Sequence, residues 1–148
     1  SYWDRKTSAK IDRYKGKVID QTYKYVRPQE TGNKTDIRWL ALYNGFIGLM
    51  VKGLPVFDGS VHHYDYALLD YYKGSQRHGK TDITKGDQID LIVDYKQMGV
   101  GGDNSWGAKP HPKYTLPMDT TVYNLEYAII PFNKNNELDA LSRINIDN

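Results

Sequence analysis

The stretch Asp36-Ile-Arg-Trp-Leu-Ala-Leu-Tyr43, then Asn44-Gly45, then Phe46-Ile-Gly-Leu-Met-Val-Lys52 decides the fold class of this chain. Both outer runs are rich in the aromatic and aliphatic residues that favour strands. Asn-Gly between two such runs is a strong hairpin signal, because both central positions of a type I′ turn need a positive φ. We therefore predict two antiparallel strands joined by a tight turn.

The composition extends this β character along the chain. Of the 148 residues, 13 are Tyr, which favours strands, and only three of the 18 acidic residues are Glu, which favours helix interiors. The other acidic residues are Asp, which favours turns. Further strands are predicted at Lys15 to Ile19, Thr22 to Val26, Pro55 to His62, Gln88 to Lys96 and Thr121 to Pro131.

Helices contribute little to the predicted fold. One short helix is predicted from Tyr66 to Tyr72, capped by Asp65, and another from Asn136 through the tail. Many short strands with frequent Gly and Pro turns indicate a sandwich or a barrel. We predict an all-β antiparallel sandwich over residues 1–132, with one or two short helices, and a loosely attached C-terminal tail over residues 133–148.

Charge and composition exclude several classes of protein. Twenty basic residues against 18 acidic ones give a net charge of +2, which argues against a nucleic-acid partner. No stretch approaches the roughly 18 to 20 apolar residues of a membrane helix, so no membrane partner is expected. The absence of cysteine removes disulfides, thiolate nucleophiles and Cys-ligated zinc. The sequence does not indicate a compartment.

The most unusual stretch is Gln97-Met-Gly-Val-Gly-Gly-Asp-Asn-Ser-Trp-Gly107. A phosphate cradle does not fit, because no Lys-Ser/Thr follows and Pro110 and Pro112 forbid the required helix. The stretch instead fits a shaped loop that holds the indole of Trp106 for a sugar, whose C–H faces pack on aromatic rings. Its supporting side chains are Asp103, Asn104 and Ser105.

Two structural alternatives stand beside these interpretations. On the residues alone, a Trp106 that plugs one end of the sandwich is slightly favoured over a binding role. The polar segment from Tyr25 to Trp39 either lines a site or forms a self-bracing loop, in which the partners would be Arg27, Glu30, Asn33, Asp36 and Arg38. The bracing interpretation is favoured there as well.

The sequence contains no recognisable metal site. The histidines lack the spacing of a zinc motif, and surface or core roles are favoured for His62, His63, His78 and His111. Calcium at Asp103 is disfavoured, because oxygen ligands at alternating positions are missing. We therefore expect neither a metal ion nor another cofactor in this chain.

Several motifs occur together in the order and spacing of a known family. The chain resembles the C-terminal domain of glycoside hydrolase family 2 β-galactosidases over about Tyr2 to Phe132. The hairpin and its flanking motifs carry this resemblance, and those motifs are Tyr2-Trp-Asp-Arg5, Tyr25-Val-Arg-Pro-Gln-Glu30, Gly32-Asn33, Asp36-Ile-Arg-Trp39 and Gln97-Met-Gly-Val-Gly-Gly-Asp-Asn-Ser-Trp106. The last motif is the most specific.

The resemblance implies a division of labour with other parts of a longer enzyme. In that family the catalytic Glu residues and a magnesium site lie on a preceding TIM barrel, and the enzyme is commonly a homo-oligomer. This chain would form part of a galactose-mutarotase-like supersandwich, and Trp106 would reach into the active site to stack on a galactoside. Glycoside hydrolysis needs two positioned carboxylates. Nothing marks one pair here, so we assign no catalytic residue.

Two rival functions remain at this stage. A free-standing carbohydrate-binding module would use Trp106 with exposed tyrosines as a lectin-like platform. A purely structural sandwich would bury Trp106 and buttress a neighbouring domain. The exposure of Trp106 separates the structural rival from the other two functions.

Overall fold

The computed structural model describes residues 10–23, 31–65, 85–104 and 106–146. Within them, four antiparallel strands form one sheet, accompanied by two 3-10 turns and one short helix. The strands are β1 (Lys34–Tyr43), β2 (Ile47–His62), β3 (Asp90–Asp94) and β4 (Tyr127–Asn133). The turns span Val18–Gln21 and Pro112–Tyr114, and the helix α1 spans Leu138–Ser142. The all-β class is confirmed, and the second layer of the sandwich stays a prediction.

The long strand β2 is the centre of the sheet. Its 16 residues pair with β1 along one edge. Its other edge is shared, because β4 pairs with Ile47–Gly53 and β3 pairs with Asp58–His62. Every strand that the structure describes therefore depends on β2 for its hydrogen bonds.

The core follows the same strand. Four of the six buried apolar side chains in the described ranges lie on β2, namely Met50, Val51, Phe57 and Val61. Burying a side chain of this size is worth about 1.5–3 kcal/mol. On the face opposite Val51, the rings of Tyr43 and Phe132 stack with centroids 5.7 Å apart. Packing on β2 thus joins β1 and β4.

Two bulges shape the pairing of β1 with β2. Between the pairs Trp39–Lys52 and Ile37–Phe57, β2 contains extra residues, including Pro55. Pro is tolerated at a bulge because it has no N–H to donate to the ladder. The second bulge adds a residue to β1 at Asp36, whose φ of 54° lies in the left-handed region. This second bulge turns the Asp36 N–H toward β2.

The predicted hairpin is confirmed, but its turn differs from the predicted one. The loop spans Asn44 to Phe46, between the end of β1 and the start of β2, and Tyr43 pairs with Gly48. Of the two predicted turn residues only Gly45 has a positive φ, at 101°. The Asn44 side chain instead accepts the N–H groups of residues 46 and 47, at 2.9 and 3.0 Å. A side-chain acceptor therefore replaces the type I′ geometry.

The other predicted elements have mixed outcomes. Pro55 to His62 is confirmed as the second half of β2, and Gln88 to Lys96 contains the shorter β3. The strand at Lys15 to Ile19 is wrong, because its end forms a 3-10 turn. Thr121 to Pro131 is wrong over its first half, since β4 begins at Tyr127, where pairing with Gly53 begins. Most of the predicted strand Thr22 to Val26, namely residues 24–26, lies outside the described residues, and so does the predicted helix Tyr66 to Tyr72.

Two side-chain contacts join the C-terminal helix and the residues after it to the rest of the chain. It is shorter than the segment predicted from Asn136, and it begins after Glu137. The Lys52 ammonium donates to the Ile144 carbonyl at 2.6 Å, and Arg13 forms an ion pair with Asp139. The division at residue 132 stays a prediction. Across the described ranges, no helix has the length and apolar character needed to cross a lipid bilayer.

The close approach of Phe132 to β2 gives a stability test. Gly48→Ala would bring a Cβ into the Phe132 ring and to 2.6 Å from the Leu42 carbonyl oxygen. We expect urea denaturation to show a loss of about 1–3 kcal/mol in the free energy of unfolding, as overpacking causes. In Gly16→Ala the new Cβ meets only the flexible end of Gln21, so this control stays within about 0.5 kcal/mol. Equal losses in both variants would contradict the packing.

Candidate functional site

Trp106 stands at the tip of a loop that begins where the sheet ends. We define the Trp106 loop as residues 97–115, which follow β3 and include the turn Pro112–Tyr114. The side chain of Trp106 is 92% exposed. It therefore does not pack into the sheet, which removes the alternative that it plugs one end of the fold within this chain.

The segments of the Trp106 loop before and after Trp106, which we call its two arms, contact each other at several points. The Gly99 N–H donates to the Tyr114 carbonyl at 2.7 Å. Further out, Gly102 lies so close to the Ala108 backbone that a Cβ on Gly102 would clash with it. Glycine is needed there because the two backbones touch. These contacts hold the two arms side by side, so the loop is not an open coil.

Side-chain contacts complete the outer part of the loop. Asp103 Oδ1 and His111 Nε2 lie 2.7 Å apart, a pair that joins the arms across seven intervening residues. Asn104 Oδ1 accepts the backbone N–H of Trp106 at 2.8 Å. The next residue, Gly107, has a positive φ of 94°. Asp103 and Asn104 therefore both make contacts within the loop, and their predicted support of a substrate-binding Trp106 stays a prediction. Ser105 lies outside the described residues.

The base of the loop is attached to the sheet by a buried carboxylate. Asp58 on β2 is only 1% exposed. Its Oδ2 accepts the N–H of Gln97, the first loop residue, at 3.0 Å, and its Oδ1 accepts the N–H of Asp36 at 3.0 Å. The side chain of Gln97 also donates to Asp94 Oδ2 at 2.5 Å. Two acidic side chains thus hold the point where β3 becomes the loop.

The environment of Asp94 shifts its acidity. Burial raises the pKa of its carboxyl above the ordinary value of 3.8, the hydrogen bond from Gln97 lowers it, and the charge of Asp58 raises it again.

Next to Asp94, the rings of Tyr95 and Tyr123 meet with centroids 5.4 Å apart. The segment after the loop is therefore also packed against the end of β3.

Sequence reasoning missed the residues that fasten the loop. Asp58 was hidden inside a predicted strand, although an Asp within an apolar strand is an unusual choice that could have drawn attention. His111 was interpreted only as a surface or core histidine, and it is exposed with Asp103 as its partner. The signal that was available is its place eight residues after Asp103 in the same Gly-rich and Pro-rich segment.

The structure describes only the second part of the polar segment from Tyr25 to Trp39. Arg27 and Glu30 lie outside the described residues, whereas Asp36 and Arg38 are exposed on β1. Bracing in the described part comes from Lys34, whose ammonium donates to Gln21 Oε1 and to the Gly32 carbonyl, both at 2.5 Å. These contacts involve Lys34, which is not one of the predicted partners, so the self-bracing of the segment stays a prediction.

The buried His62 has a packing role. It is fully buried beside Gly32, its Nε2 donates to the Thr31 carbonyl at 2.8 Å, and its ring stacks on Tyr64 at 4.6 Å. This confirms a core position for one of the four histidines. In the described part of the chain, no group of three or more His, Cys, Asp or Glu residues is arranged to hold a metal ion.

The chemistry that this site offers is binding rather than proton transfer. An exposed indole presents a flat apolar face, which suits the C–H face of a sugar or an aromatic group. The acidic side chains nearest the loop base, Asp58 and Asp94, are engaged with backbone or side-chain donors. A binding role for the exposed Trp106 therefore stays a prediction.

Comparison with known proteins identifies the family. A family model described as the β-galactosidase small chain matches residues 1–129. The chain belongs to the β-galactosidase small-chain family. This confirms the resemblance that the motifs indicated.

Relatives within this family are much longer than the chain. A β-galactosidase of Priestia megaterium is 45% identical over 84% of the chain, which spans 12% of that protein. A β-galactosidase of Vibrio cholerae is 34% identical over 84% of the chain, and one of Halalkalibacterium halodurans is 34% identical over 80% of it. The chain spans 11% of each of these two proteins. It therefore corresponds to a small part of each relative.

The raised pKa of Asp94 predicts a pH dependence of stability. A carboxyl that binds its proton more tightly in the folded state contributes most below its ordinary value of 3.8, and this contribution is lost as pH rises through the raised pKa. Asp94→Asn does not titrate. Its stability relative to the unsubstituted chain should therefore increase with pH and then level off, as urea denaturation between about pH 3 and pH 8 would show.

An exposed carboxyl with the opposite shift serves as the control. Hydrogen bonds from the Thr121 side chain and N–H lower the pKa of Asp119 below 3.8. Its contribution is present above that value and is lost as pH falls through the lowered pKa. The relative stability of Asp119→Asn should therefore decrease as pH rises. Parallel trends for the two variants would contradict the assigned environments.

Proposed function

We propose that this chain forms part of a β-galactosidase that hydrolyses terminal β-D-galactosides, and that it supplies Trp106 as a substrate-stacking residue without catalysing the reaction alone. Family membership supports the enzyme class. The observation that carries the binding role is the 92% exposure of Trp106 on a loop whose arms are fastened together. Exposure of the apolar indole to water costs free energy, and a bound ligand that covers the ring would recover it.

Shape and hydration favour a sugar as the ligand of Trp106. A galactoside offers an apolar C–H face to an aromatic ring and directs its hydroxyls to polar neighbours. A fastened loop loses little further conformational entropy when ligand binds, so more of the contact energy appears as affinity. Trp106 would bind and orient the substrate or its aglycone, and it would not transfer a proton.

The chemistry itself is proposed to lie on a preceding TIM-barrel domain of the same enzyme. Retaining hydrolysis of a β-galactoside needs an acid and a nucleophile about 5–5.5 Å apart. That domain would also hold the magnesium ion, and the complete enzyme would be a homo-oligomer. Within this proposal, residues 1–132 form the sandwich part of the C-terminal domain and residues 133–148 form its tail.

Removing the indole tests the binding role. Trp106→Ala in the complete enzyme should weaken binding of a galactoside with an aromatic aglycone by about 1–3 kcal/mol, the range for one aromatic anchor. This loss would appear as a higher KM and as altered transfer of galactose to sugar acceptors. Phe46→Ala removes another exposed aromatic ring, from the hairpin loop, and should change neither quantity. Unchanged affinity and unchanged transglycosylation in Trp106→Ala would refute the role.

A free-standing sugar-binding module would behave differently from a domain that depends on its barrel. Titration of lactose into the isolated chain, followed by tryptophan fluorescence, should give weak binding or none. The isolated chain should also fail to hydrolyse a chromogenic β-galactoside at enzymatic rates. Tight saturable binding would favour the module, and enzymatic turnover would place the catalytic acids in this chain.

A further inference from the structure

Asp58 occupies an unusual position for a carboxylate. It lies on the central strand with its Cα opposite that of Asp94, three residues before the Trp106 loop begins at Gln97. Burying an ionised carboxylate costs free energy unless hydrogen bonds replace the lost water. The bonds that Asp58 makes therefore indicate what this residue does.

Each oxygen of the Asp58 carboxylate accepts one backbone N–H. The N–H of Asp36 comes from the bulge of β1, and the N–H of Gln97 comes from the first residue of the loop. Hydrogen bonds to a charged acceptor are shorter and roughly twice as strong as bonds between neutral groups. One side chain thus joins the middle of the sheet, a bulge on one neighbouring strand and the base of the loop beyond the other neighbour.

This geometry argues against other roles for Asp58. Both carboxylate oxygens face backbone donors, and solvent does not reach the side chain. A group in this state is poorly placed to exchange protons with a substrate or to bind a metal ion. Ordinary packing does not explain it either, because a buried apolar residue would avoid the desolvation cost. The remaining role is to hold the two backbone segments in place.

We propose that Asp58 is a positioning residue for Trp106, acting through the base of the Trp106 loop and not through contact with substrate. This inference rests on the proposed binding role of Trp106. The loop has a series of fixed contacts between base and tip, so a displacement at Gln97 is transmitted outward. These contacts join Gly99 to Tyr114, Gly102 to Ala108, Asp103 to His111 and Asn104 to Trp106.

A double-mutant cycle in the complete enzyme tests the proposal. Asp58→Ala should raise KM for an aromatic galactoside about threefold to tenfold, as expected for the loss of hydrogen bonds that hold the loop, and should change kcat less. In an enzyme that already carries Trp106→Ala, the same substitution should raise KM less than about twofold, because its effect passes through the missing indole.

A matched core variant separates positioning from loss of stability. Val51→Ala also truncates a buried β2 side chain, but Val51 pairs with Leu40 and Ile129 at the end of the sheet remote from Gln97. It should lower the thermal stability of the enzyme and leave KM unchanged. Asp58→Asn keeps the side-chain volume and one carbonyl acceptor, so it provides a folded variant if Asp58→Ala does not accumulate. Its KM should rise less and should likewise depend on Trp106.

The outcomes distinguish the two proposals. A rise in KM that is the same with and without Trp106, or no rise in either background, overturns the role of Asp58 while the role of Trp106 stands. A normal KM together with unchanged transglycosylation for Trp106→Ala overturns the proposed binding role of Trp106, whatever Asp58 does. A rise in KM for Val51→Ala equal to that for Asp58→Ala also overturns the positioning role, because general destabilisation would then account for both.

Discussion

The hydrogen-bond pairing of β2 with three other strands is the constraint on which the described fold depends. Its first half lies between β1 and β4, its second half pairs with β3 and with the start of β1, and each half contains two of the strand's four buried apolar side chains. The loop that carries Trp106 leaves the sheet at the end of β3. In the role proposed for Asp58, the position of the indole depends on the second half of β2.

Both halves of β2 bury apolar side chains, and they differ in the further contacts that hold them. Near Met50 the strand is held by side-chain burial and by the close approach of Phe132 to Gly48. Near Asp58 it is held by a buried carboxylate that accepts two backbone N–H groups. Apolar burial is non-directional, whereas a hydrogen bond fixes the distance and angle between its donor and its acceptor. In the proposed function, such an attachment would suit the end of the sheet that carries the Trp106 loop.

Local signals in the sequence were sufficient for some features and insufficient for others. The hairpin was predictable because Asn44-Gly45 and its flanking runs are adjacent in sequence, although the turn type depended on the Asn44 side chain. Trp106 was recognisable as unusual, but its exposure was not, because exposure depends on how distant segments pack. Asp58 and Gln97 are 39 residues apart, so no local pattern links them. The segment Lys15 to Ile19 has strand composition but pairs with no strand among the described residues.

The central claim is that the fastened Trp106 loop presents its indole to a galactoside. A crystal structure of the complete enzyme with a bound non-hydrolysable galactoside would measure the separation between the indole of Trp106 and the ligand. The account predicts van der Waals contact, at about 3.5–4.5 Å between the indole atoms and the sugar or its aglycone. An indole packed against another domain, with no contact to the ligand, would contradict it.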